Sequence, residues 1–145
     1  MARVKPSWQV KKMTEFCPCG STKTFSSCCE PYLRGKEAAP TPETLMRSRY
    51  TAFCIKDLPY IEATTDPQRR LDFDFEATAR WMNESEFMGL EVLSSSEEGT
   101  KGRVEFRALY RSSDGLEQTH HEYSRFRKQR GIWYFSDGRV VTKPT

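Results

Sequence analysis

The segment Cys17-Pro18-Cys19-Gly20-Ser21-Thr22-Lys23-Thr24-Phe25-Ser26-Ser27-Cys28-Cys29 constrains the fold of this chain more than any other feature. Two cysteines one residue apart can chelate from a single turn, and Gly20 lets the backbone curl back toward a shared ion. The loop Gly20–Ser27 can then return Cys28 and Cys29 to the same centre. A tetrahedral Zn²⁺ ion takes four such sulfurs at roughly 2.3 Å. Other uses of the thiols fit less well. A bridge between adjacent Cys28 and Cys29 closes a strained ring. Iron–sulfur clusters use other spacings. Thiol exchange needs sulfurs that a tight metal site does not leave free. One structural zinc ion is expected, held by Cys17, Cys19, Cys28 and Cys29, with no open position for catalysis.

Thiols kept as metal ligands belong to a reducing compartment, so a cytoplasmic location is expected. Met1–Phe16 is basic but lacks the unbroken apolar stretch of a secretory signal. The apolar run Ala52–Ile55 is far too short to span a bilayer, so no membrane role is expected. The formal net charge of +3 is concentrated in the head, where Arg3, Lys5, Lys11, Lys12, Lys23 and Arg34 face only Glu15 and Glu30. Nucleic acid is one reading of that head, but no aromatic-basic platform or groove-reading helix accompanies it. The simpler reading is that these cations offset the negative charge of four metal-bound thiolates.

Beyond the cysteines, the pattern predicts helices first and strands afterwards. Thr41 caps a helix that begins with Pro42 and Glu43, and Leu45, Met46, Tyr50, Phe53 and Cys54 recur along it at helical spacing through Ile55. Asp57-Leu58-Pro59 opens a second short helix that ends before Thr65-Asp66-Pro67. A third helix covers Phe75–Asn83, burying Ala79 and Trp81 or Met82. The period changes after Ser85. Phe87–Ser95, Gly102–Arg111, Glu117–Lys128 and Trp133–Asp137 read as four strands, with turns at Glu98-Gly99, Asp114-Gly115 and Arg130-Gly131. Val104, Phe106, Ala108 and Tyr110 alternate with charged residues, as in a half-buried antiparallel sheet. The expected fold is α+β: a small N-terminal zinc knuckle, then helices wrapped by a curved antiparallel sheet. The expected organisation is a tail over residues 1–15, the knuckle over 16–34 and the α+β domain over 41–140. The domain is expected to carry its own core, from Tyr50, Phe53, Trp81, Phe106, Tyr110, Phe126 and Trp133.

Cys17-x-Cys19-Gly20-Ser21…Lys23…Cys28-Cys29 resembles the SEC-C motif, the zinc-binding element found at the tail of the preprotein translocase ATPase. Cys28-Cys29-Glu30-Pro31-Tyr32-Leu33, Ala39-Pro40-Thr41-Pro42-Glu43…Leu45-Met46-Arg47-Ser48-Arg49-Tyr50-Thr51-Ala52-Phe53, His120-His121-Glu122-Tyr123-Ser124-Arg125-Phe126 and Trp133-Tyr134-Phe135-Ser136-Asp137-Gly138 resemble the YchJ-like family of bacterial proteins. The resemblance runs from Phe16 to about Gly138. It implies a SEC-C element followed by a cone-shaped, nuclear-transport-factor-2-like domain. Relatives tend to have Trp-His-Pro where this chain has Thr65-Asp66-Pro67. Some also carry a second SEC-C motif, whereas no cysteine follows Cys54 here.

The remaining candidates are polar residues at inward positions. Cys54 lies on the buried stripe of the first helix and reads as an inert core thiol. Alternation sends His120 and His121 to opposite faces of one strand, which argues against a second metal site. Glu122 and Ser124 share a face with Phe126. If that face looks inward, Glu122 needs a cation, and Arg47 or Arg49 would supply it as a lock between helix and sheet. The functional alternative makes Glu122 part of a pocket floor. No complete catalytic set is laid out, which leans away from an enzyme. Two functions follow: a non-enzymatic binding or adaptor protein whose knuckle meets a protein partner, or a small-molecule binder or enzyme using the cone around Asp66, Glu122 and one histidine.

Overall fold

The computed structural model describes residues 16–141. The expected tail, residues 1–15, lies outside the described residues. A 3₁₀ turn at Phe25–Ser27 and helix α1 (Glu30–Leu33) lead into the long helix α2 (Pro42–Ile55). Helices α3 (Leu58–Ala63) and α4 (Phe75–Glu84) follow. The sheet comprises β1 (Glu86–Glu98), β2 (Lys101–Arg111), β3 (Glu117–Gln129) and β4 (Ile132–Val140). The strands pair in sequence order, all antiparallel, so the sheet is a meander.

Helices α2, α3 and α4 each begin where a side chain takes an orphan amide. Thr41 Oγ1 accepts from Thr44 N at 3.0 Å, Asp57 Oδ1 from Tyr60 N at 3.1 Å, and Asp74 Oδ1 from Ala77 N at 3.0 Å. Helix α2 stops at Lys56, which turns left-handed at φ 62°. Lys56 Nζ donates to Met82 O, tying that end to α4. Bulges at Phe87/Gly89, Val92/Ser94 and Arg125/Phe126 bend the sheet around the helices. The outer strands run longer than expected. The β1–β2 ladder continues to Glu98↔Lys101, and β4 keeps pairing past Gly138, opposite Ser124, to Val140.

The core differs from expectation in two ways. Cys17, Cys19, Phe25 and Cys29 of the knuckle belong to the same buried cluster as Leu45, Met46, Tyr50, Phe87, Phe106 and Trp133. The knuckle is therefore packed into the domain and does not leave it a separate core. Phe53, Trp81 and Tyr110, expected in the core, are only half-buried, and Ala79 is too. Phe53 and Trp81 border a hollow described below.

One ion pair fastens the segment between α3 and α4 to the sheet. Asp66 is 1 % exposed, and both its carboxylate oxygens accept from Arg127 at 2.8 Å. Asp66 N donates to Phe135 O, and Phe135 N donates to Thr64 O, both at 2.8 Å. The Arg127 hydrogen bonds hold the Asp66 carboxyl below its ordinary range against the opposing effect of burial. That contribution to stability is complete above the unfolded pKa of about 3.9 and fades as pH falls through the lower folded value. Asp66→Asn should therefore destabilise the fold by roughly 2–3 kcal/mol at neutral pH and flatten the acid limb of stability. Denaturant melts of Asp66→Asn, Arg127→Met and the double variant between pH 3 and 7 would measure it. Additivity of the two substitutions would deny the coupling.

Candidate metal centre and inner chamber

The knuckle is a loop closed on itself. Cys17 N donates to Lys23 O at 2.7 Å, and Gly20 N donates to Cys17 O at 3.1 Å. Gly20 sits at φ 82°, a conformation in which a side chain is strained, and this lets Cys17 and Cys19 point inward together. Helix α1 starts at once after Cys29, whose carbonyl accepts from Tyr32 N and Leu33 N. The ligand atoms of Cys17, Cys19, Cys28 and Cys29 all lie within 4.8 Å of one another. Cys19 Sγ is 3.6 Å from Cys28 Sγ, and Cys28 Sγ is 3.9 Å from Cys29 Sγ. A tetrahedron of sulfurs about 2.3 Å from a central ion has an edge of about 3.8 Å. The thiols are unbridged, and their spacing fits one metal ion at the centre.

Helix α2 supplies the surroundings of that centre. Thr51 Oγ1 lies 3.3 Å from Cys29 Sγ and 3.7 Å from Cys17 Sγ. Arg47 Nη1 donates to Cys19 O at 2.7 Å, while its Nε donates to Glu43 at 3.0 Å. Ser95 Oγ on β1 donates to the other Glu43 oxygen at 3.0 Å. Among the described residues Arg47 of the helix is a hydrogen-bonded cation beside the sulfurs; Arg3, Lys5, Lys11 and Lys12, expected to offset their charge, lie outside the described residues. Without a metal the thiols must share protons. Hydrogen bonds from Cys17 and Cys29 hold Cys19 down, the bond to Cys19 pushes Cys17 up to about 11, and the bonds to Cys17 and Cys19 together with burial push Cys29 up. A divalent cation removes that conflict by letting all four ionise.

The second feature is a chamber of about 190 Å³ between α2, α4 and the inner face of the sheet. Aromatic rings form much of its wall, with Trp81 and Phe87 5.3 Å apart edge-to-face and Phe53 packed against both. Into it project Arg49, His120, Glu122 and Ser124. His120 Nε2 lies 2.8 Å from Glu122 Oε1, and Ser124 Oγ donates to Glu122 Oε2 at 2.5 Å. Arg49 is 7 % exposed; its Nη1 donates to Ile61 O at 3.1 Å and to Thr64 Oγ1 at 2.7 Å. The guanidinium lies 4.4 Å over the Phe135 ring. Burial lowers Arg49 to about 10, against the opposing charge of Glu122, so it stays protonated at neutral pH. Gly138 matters here because a Cβ on it would sit 2.2 Å from Glu122 Oε2. Its missing side chain makes room for the carboxylate.

Comparison with known proteins places the whole arrangement. A family model described as YchJ, middle NTF2-like domain, matches residues 41–138, and the SEC-C motif matches residues 13–31. The chain belongs to the YchJ family. A UPF0225 protein from Geobacter sulfurreducens is 50% identical over 129 residues, 87% of this chain and 80% of that protein. The solution structure of a SEC-C motif containing protein from Rhodopseudomonas palustris is 54% identical with a TM-score of 0.81, over 87% of this chain and 98% of that one. A SEC-C motif containing protein from Psychrobacter arcticus is 32% identical with a TM-score of 0.76, over 93% and 88% of the two chains.

For this YchJ-family chain the α+β, NTF2-like expectation holds, with the cysteine cluster at its head. The Arg–Glu lock does not. Neither Arg47 nor Arg49 forms an ion pair with Glu122, because Arg47 is turned to Glu43 and Cys19, and Arg49 to α3 and Phe135. Asp66 lies outside the chamber's lining, engaged by Arg127. His120 and His121 do face opposite ways, His120 into the chamber and His121 to Glu105 at 2.7 Å. Cys54 is half-buried and outside the sulfur cluster. Thr51 and Arg127 were not singled out in the sequence, since neither forms a local motif.

Two outcomes are expected. Thr51→Val keeps the shape but removes the hydroxyl beside two sulfurs, so metal affinity should fall by roughly tenfold in a competition titration with a chromophoric chelator. Unchanged affinity would show that the hydroxyl does not tune the ligands. Gly138→Ala should displace Glu122 and destabilise the fold by about 1–3 kcal/mol, read by denaturant melts, and should shift the His120 ring signals in NMR spectra.

Proposed function

We propose that this chain is a zinc-stabilised, non-enzymatic binding protein whose ligand is a small molecule held in the NTF2-like chamber. Zinc is favoured by a sulfur-only donor set at four-coordinate spacing. When bound, it would supply structure and no reactive position, because four sulfurs close its coordination shell. The single observation that carries the ligand reading is a hollow of about 190 Å³ in the middle of the domain, where His120, Glu122 and Ser124 form one hydrogen-bonded row. A cone serving only as scaffold would be filled by its aromatics. An adaptor role for the knuckle has less to support it. Cys17, Cys19, Phe25 and Cys29 are buried against the chain's own core, so much of the knuckle surface is already used.

No helix among the described residues is long and apolar enough to cross a membrane, and a cytoplasmic site of action is part of this proposal. Protein purified without chelator should contain about one zinc per chain by elemental analysis, and Cys17→Ser and Cys28→Ser should lose most of it. Full zinc in both variants would refute the ligand set. A screen of single-ring fragments by NMR should move the Trp81 indole and His120 ring signals. A screen in which no fragment moves either would rule out the chamber as a binding site.

A further inference from the structure

Resting on the chamber reading, we propose that the chamber takes a small aromatic carboxylate, whose anionic group is received by Arg49. The charges lining the hollow are not balanced in the same way. Glu122 is the chamber's lining carboxylate among the described residues, and both its oxygens are engaged, by His120 and by Ser124. Arg49 has no such partner: among the described residues no carboxylate lies within salt-bridge distance of it. All its hydrogen bonds leave from Nη1, to Ile61 O, Thr64 Oγ1 and Thr65 Oγ1.

The remaining Nε and Nη2 form the edge of the guanidinium fork that a carboxylate meets with two parallel hydrogen bonds. Phe135 covers one face of the group, which leaves approach in the plane of the fork. A guanidinium that is only 7 % exposed has lost most of its hydration, so an anion there gains more than it would at the surface. The body of the ligand follows from volume and walls. An apolar cavity of about 150 Å³ is enough to take benzene. The chamber offers about 190 Å³, which suits one ring with a short polar substituent. Trp81, Phe87 and Phe53 present edges and faces at the separations aromatic rings prefer for one another, so an added ring extends an existing cluster.

Titration of the full, metal-loaded chain by calorimetry and NMR with benzoate, benzamide, benzyl alcohol and acetate tests this. Benzoate should bind at least tenfold more tightly than benzamide or benzyl alcohol, acetate should bind more weakly than benzoate, and the Arg49 Nε and Trp81 indole signals should move together. Benzamide binding as tightly as benzoate would overturn the carboxylate assignment while leaving the chamber as a small-molecule site. Failure of every ring compound would remove the chamber reading itself, and this proposal with it. Benzoate shifts confined to Arg103, Arg125 and Arg139 on the polar cleft of the sheet would also overturn it. Arg49→Met should melt cooperatively and lose the preference for benzoate over benzamide; a retained preference would assign the anion elsewhere. Should Arg49→Met fail to fold, the benzoate–benzamide ratio on the unaltered chain decides the matter without it.

Discussion

Everything in this molecule depends on helix α2 presenting two different polar stripes at once. Arg47 and Thr51, four residues apart, lie on one face and support the sulfur cluster. Met46, Arg49, Tyr50 and Phe53 lie roughly a third of a turn away and form one wall of the chamber. A helix this engaged cannot shift its register without breaking one side or the other. The sulfur cluster and the chamber are therefore mechanically joined, even though none of the four cysteines lines the chamber. Packing the knuckle into the main core has the same effect, since Cys17, Cys19 and Cys29 rest on the residues that position α2.

How much of this was legible in the sequence follows from how local each signal is. The four cysteines lie close together in the chain, so their spacing alone brings them to one centre. Thr41, Asp57 and Asp74 cap helices through bonds that span three residues, and the first two were legible with no tertiary information. Alternation put Phe106 on the half-buried face of β2, grouped Glu122 and Ser124 with Phe126 on one face of β3, and sent His120 and His121 to opposite faces, because a period of two is a property of the strand itself. Partner choice is a different matter. Glu122 is inward as expected, yet its carboxylate is met by neighbours two residues away on its own strand, and the expected arginines are turned elsewhere. The lock that does form, Asp66 to Arg127, joins residues 61 apart, and nothing local distinguishes that pair from any other acid and arginine. The hollow was equally hidden. Composition shows many aromatics, but whether they fill a cone or line it is decided by the bulges that set the curvature of β1 and β4.

Three positions within about one turn of α2, Ser48, Arg49 and Thr51, carry buried polar side chains, and they are not equivalent. Ser48 is 0% exposed and answered at once, by Leu45 O and the Tyr60 hydroxyl at 2.8 and 2.7 Å. Thr51 is 0% exposed and answered by Arg47 O and the sulfurs. Both are small hydroxyls whose hydrogen-bonding need is met within the fold, so packing and satisfaction explain them. Arg49 is a full charge at 7 % exposure that lines the hollow, with all its hydrogen bonds to the fold leaving from one nitrogen. An apolar residue of similar volume would fill that position with less desolvation, and replacing buried charges in that way is often neutral or stabilising. Stability alone thus gives no reason for an arginine there. Beyond its bonds to α3 and the nearby charge of Glu122, its guanidinium would gain a direct ion-pair partner if something negative entered the chamber, which is the condition a carboxylate ligand would satisfy.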